Sequence, residues 1–184
     1  MGEAQSLQAV SPEQQGILVK IAADRRLVET ATIEALSEEM HGRAGFSIPF
    51  ADPLLLAKAN DFLVCPTLEK LRCWAVYGGQ IIHYPLLAPR RQRGDIVYHE
   101  IAHALLYRYG IEHSHGDVYD LALALMAPHP WVTTHLRRLG TQETQGLLFQ
   151  SNSHAPEMLL RLRIQRVCTQ IESARLRSMR IPTL

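Results

Sequence analysis

Residues 98–103 read Tyr98-His99-Glu100-Ile101-Ala102-His103, and this HExxH run constrains the chain more than any other stretch. Two histidines four residues apart share a face only on an α-helix. Both rings then aim a nitrogen at one ion, at about 2.0–2.1 Å for zinc. Glu100 lies one step round the helix from His99 and reaches a water on that ion without being a ligand. Each residue type has a chemical task. The metal polarises water and a scissile carbonyl. Glu100 takes a proton from the water and later gives it to the leaving amine. A further donor steadies the developing oxyanion; Tyr98, Tyr107, Tyr119 and His113 are candidates, and the sequence does not choose among them.

A catalytic zinc needs a third protein ligand and one open position. His113, His115, Asp117 and Asp120 follow the motif at short range. A metzincin would have a histidine where Tyr109 stands. A short loop lets the next helix turn back and offer a ligand from its first turn, which suits His115 or Asp117 best.

The surrounding text places the motif on a helix just after a sheet. Ser11-Pro12 reads as a helix start. Apolar residues Ile17, Leu18, Ile21, Leu27, Ile33 and Leu36 recur near helical spacing, predicting one long or two short helices over about 12–41. Residues 42–51 read as a loop. Asp52-Pro53 opens a helix running to about Asn60. Then Phe62–Cys65, Leu71–Tyr77 and Gln80–Tyr84 read as strands, the last two joined at Gly78-Gly79, and predict a small antiparallel sheet. In that sheet 77 and 81–83 are expected at an edge that takes up extended substrate. Pro85–Gly94 reads as a loop, basic at Arg90, Arg91 and Arg93. Asp95 is the expected cap of the motif helix, which runs from Ile96 to about Tyr109 and stops at Gly110. Helices follow over about 117–127, 131–139, 142–149 and 156–176. Trp74 and Trp131 are expected in the core. The expected class is α+β, mostly helical, with residues 1–50 a helical segment packing on the core formed by 51–184.

Composition narrows the class. The 184 residues are 47% apolar and 20% charged, with formal net charge +1, so no global field argues for nucleic acid or a membrane. Cys65, Cys73 and Cys168 are odd in number and form no CxxC pair, which does not suit a disulfide framework; Cys65 and Cys73, in strand-like apolar runs, read as buried thiols. The first residues, MGEAQSLQAVSPEQQ, lack a basic start and an apolar run, and no run of eighteen apolar residues occurs. A cytoplasmic protein is expected.

The chain resembles the ImmA/IrrE family of metallopeptidases. The matching text is PRRQRGDIVYHEIAHALL at 89–106, DLALALMAP at 120–128 and SHAPEMLLRLRIQ at 153–165, within about residues 51–165. The resemblance implies a zincin-like domain holding one zinc per chain. It also implies an intracellular endopeptidase that cuts a regulatory protein such as an XRE-type helix-turn-helix repressor in stress response and transcription regulation. The family's third ligand is usually a glutamate at the start of the helix ending LLMP. Counting back from Pro128, that place falls on His115, with a second acidic place on Asp117. The resemblance therefore implies the ligands His99, His103 and His115, the base Glu100, and Asp117 as an alternative ligand or a carboxylate orienting a ligand histidine. The missing glutamate motivates an alternative, a catalytically weak or inactive member that works as a protein-binding regulatory module; the intact Glu100 argues against it.

Overall fold

The computed structural model describes residues 25–45, 52–68, 75–76 and 81–179. The expected helix start at Ser11-Pro12, Cys73 and Trp74 lie outside these. In chain order the elements are α1 (Thr30–Ala44), α2 (Pro53–Ala59), β1 (Leu63–Thr67), β2 (Ala75–Val76), β3 (Ile81–Pro85), α3 (Arg90–Arg108), α4 (His115–Met126), α5 (His129–Leu139), α6 (Thr141–Ser151) and α7 (Glu157–Met179). The structure is mostly helical with one small sheet. No helix among the described residues is long and apolar enough to cross a membrane.

The centre is the pair α3 and α4. Helix α4 is apolar nearly all round: Val118 and the run from Leu121 to Met126 are buried, the pattern of a helix enclosed by neighbours. Helix α3 covers one side of it, α1 another, and α7 packs on it as well. Beyond α3 lie α2 and the sheet. Ile101 and Leu105 of α3, Leu121 and Leu125 of α4, and Leu56 of α2 are fully buried in one cluster. Each such aliphatic side chain contributes about 1.5–3 kcal/mol relative to exposure.

The sheet corrects the antiparallel expectation. Its strand order is β1-β3-β2. β2 pairs antiparallel with β3, Ala75 opposite Ile82, but β1 pairs parallel with β3, Leu63 opposite Ile81 through Thr67 opposite Pro85. A meander would put β2 in the middle. Here β3 takes the middle, because Ile82 is 0% exposed and β3 is the strand laid against α3. The supposed edge at residues 81–83 is therefore central. β1 is the outer strand, and Pro66, which has no N–H for a ladder, sits on it as an outer strand permits.

A second correction concerns the start of α3. Arg90, Arg91 and Arg93 stand in its first turn rather than in a loop. The Arg90 guanidinium donates to the His154 ring at 2.7 Å, and Arg91 pairs with Glu157 at 2.9 Å. Gly94 is inside the helix because a Cβ there would lie 1.9 Å from the His154 carbonyl oxygen. The turn carrying His154 is itself fixed: the Asn152 amide donates to the Met126 carbonyl at 2.9 Å, and its Oδ1 accepts from the N–H groups of His154 and Ala155. At the other end, Gly110 adopts φ 64° and Ile111 N–H returns to the Leu106 carbonyl at 2.9 Å, a left-handed closure that favours glycine.

Charged pins join the outer helices to this centre. Arg163, 2% exposed, donates to the Ala127 carbonyl at 2.8 Å and grips both oxygens of Glu34 at 2.7 and 2.6 Å. Asp120 receives Arg26 at 3.1 Å and also Arg166. Cys65 and Cys168 are half-buried free thiols, and half-buried Trp131 packs against the core cluster and stacks on His135 at 3.9 Å.

Candidate metal centre

The helical spacing of the motif holds. His99 and His103 project from α3 with ring centroids 5.0 Å apart. After Gly110 the chain reverses through a short loop, and α4 begins at His115. Its ring lies 5.0 Å from His99 and 5.2 Å from His103. The three imidazoles offer ligand atoms that all lie within 4.8 Å of one another. Bonds of 2.0–2.1 Å at tetrahedral angles would bring such donors to about 3.3 Å, so small side-chain rotations separate this arrangement from a ligating one. His99 and His103 are half-buried and His115 is exposed, so the cluster opens toward His115.

The electrostatics suit a cation. Burial, with the neighbouring imidazoles His103 and His115, pushes the His99 pKa down to about 3. Burial, with His115 and His113, takes His103 down to about 4. Near neutral pH both rings keep a free lone pair, the form that binds metal. A set of three imidazoles fits zinc.

Asp117 stands two residues from His115 yet outside the cluster. Its carboxylate closes a capping box on Ser114, accepting from the Ser114 N–H at 2.7 Å and hydroxyl at 2.8 Å. It also accepts from the backbone N–H groups of Leu27 and Val28 at 3.1 and 3.2 Å. Burial alone would raise its pKa, but the donors from Ser114, Leu27 and Val28 outweigh it and the net shift is downward. With Ser114 Oγ also bonded to the Arg25 carbonyl and Arg26 on Asp120, the strand of chain entering α1 is strapped across the first turn of α4. Asp117 thus sets where α4 starts and so where His115 stands. The Ser114-x-x-Asp117 spacing is a capping signature; read as one, it would have moved the predicted helix start from Asp117 to His115.

The remaining sequence candidates separate. Glu100 is 3% exposed, next to His99 on α3. Asp120 is occupied by its two arginines. Tyr98 is fully buried; burial pushes its pKa up, against a hydrogen bond with Asn152. Tyr107 is exposed, its ring against His113 at 5.1 Å. His113 lies 5.7 Å from His103, with Nδ1 2.8 Å from the Ile111 carbonyl. Tyr119, one turn along α4 from His115, packs its ring 4.8 Å from His99 and 5.6 Å from His115.

Compared with known proteins, the chain matches no family model, and neither curated proteins nor solved structures yield a match.

Proposed function

We propose that this chain is a zinc-dependent endopeptidase of the ImmA/IrrE kind, acting on a regulatory protein such as an XRE-type repressor. The observation that carries the reading is the convergence of His99, His103 and His115 from two helices, with the buried Glu100 following His99 on α3. His99, His103 and His115 would hold the ion. When bound, zinc supplies a Lewis acid that acidifies water and polarises a carbonyl. Glu100 accepts the proton that the attacking water loses and delivers it to the amine of the broken peptide bond. The enclosure of Glu100 keeps it from exchanging that proton freely with solvent. The exposed His115 side is where an extended peptide has room to approach.

The test combines metal content with hydrolysis. Wild type is expected to hold about one zinc per chain, as a single three-histidine site requires, and His99→Ala and His115→Ala to lose it. Glu100→Gln should keep the zinc and lose about 10²–10⁴-fold in rate on denatured casein or a purified XRE-type repressor. A wild type without zinc ends the proposal. Equal activity in wild type and Glu100→Gln would instead leave a protein-binding module that does not cut.

A further inference from the structure

A peptidase site also needs a donor for the oxygen that gains negative charge as the peptide carbonyl is attacked. Four side chains qualified by sequence, and their surroundings now differ. Tyr98 is sealed on another face of α3. Tyr107 is exposed and meets His113, the ring outside the ligand cluster. His113 is tied by Nδ1 to the Ile111 carbonyl at 2.8 Å, and its ring meets only one of the three proposed ligands, His103 at 5.7 Å. Tyr119 alone of the four lies against two of the three proposed ligands. Residues four apart share a helix face, so Tyr119 and His115 project from α4 together toward His99.

We propose that Tyr119 is a catalytic residue whose hydroxyl donates a hydrogen bond to that oxygen; the assignment rests on the metallopeptidase reading and deepens it. The bond that forms joins the water oxygen to the carbonyl carbon, while the carbonyl π pair moves onto its oxygen. Tyr119 keeps its proton throughout: its hydrogen bond tightens as the charge appears and relaxes when the C–N bond breaks. The proton balance is carried by Glu100. A phenol suits the task because it donates without being charged.

The test separates this role from packing and from the wider reading. Wild type, Tyr119→Phe and the control Tyr107→Phe are loaded with cobalt(II) and titrated with acetohydroxamate, a small carbonyl-bearing chelator, by the visible absorption of the metal. All three should take up cobalt equally. Tyr119→Phe, which keeps the ring, should bind the hydroxamate roughly tenfold more weakly, the loss of one hydrogen bond, and Tyr107→Phe should match wild type. On casein, zinc-loaded Tyr119→Phe should lose about 10²-fold in kcat with KM little changed. Equal hydroxamate affinity in Tyr119→Phe and wild type overturns the assignment. A wild type that takes up cobalt but cleaves nothing sinks the peptidase reading, while the hydroxamate titration still decides Tyr119. A wild type that takes up no cobalt sinks both.

Discussion

Asp95 sits half-buried in the second turn of α3, one turn before His99. Burial pushes its pKa up to about 6. In the metal-free protein the folded state therefore holds a proton that the unfolded chain gives up between about pH 4 and 6, so this group lowers stability as pH rises through that interval. Asp95→Asn removes the cost. Thermal unfolding of the metal-free variant should show a gain of about 1–3 kcal/mol at pH 7.5 and none at pH 4. A variant no more stable than wild type at pH 7.5 would mean that water reaches the carboxyl.

At the scale of elements, α3 meets the turn 152–155 with no room for a side chain at Gly94. Gly94→Ala must move either the helix or the His154 backbone. Overpacking of this kind costs about 1–3 kcal/mol, and a melting curve should fall by about 2–4 °C for each of those kcal/mol. An unchanged midpoint would show that the two segments separate easily. The same contact explains what the sequence could and could not tell. His99, Glu100 and His103 were legible because four-residue spacing on a helix is a local rule, and the stop at Gly110 because a left-handed closure is local too. Gly94 and Asp95 look like a loop and a cap because their true reasons, a backbone approached from sixty residues away and a half-buried carboxyl, are tertiary. The antiparallel pairing of the first strand and the edge at 81–83 failed for a like reason: periodicity marks strands, but which strand takes the middle depends on what packs over it, here α3 over Ile82. His115 follows from the count back from Pro128, and the capping box of Ser114 and Asp117 gives its place a physical reason.

For the whole molecule, the proposed ligands lie on the two helices at the centre of the core. A metal bound to the folded state and not to the unfolded chain shifts the unfolding equilibrium by RT ln(1 + [L]/Kd). Free zinc at a hundredfold excess over Kd should add about 2.7 kcal/mol and raise the melting midpoint by about 5–10 °C. A chelator should reverse the rise, and His115→Ala should show little of it. A midpoint that ignores zinc would mean that the three imidazoles do not act together.

The strap across the first turn of α4 has one more consequence. Two of the three imidazoles ride on a long helix locked into the core, and they are indifferent to what happens at the chain's edges. The third stands at the tip of a helix whose opening turn is knotted to Arg25, Leu27 and Val28. A pull transmitted through Arg25, Leu27 and Val28 would therefore end beside His115, the most exposed of the three proposed ligands.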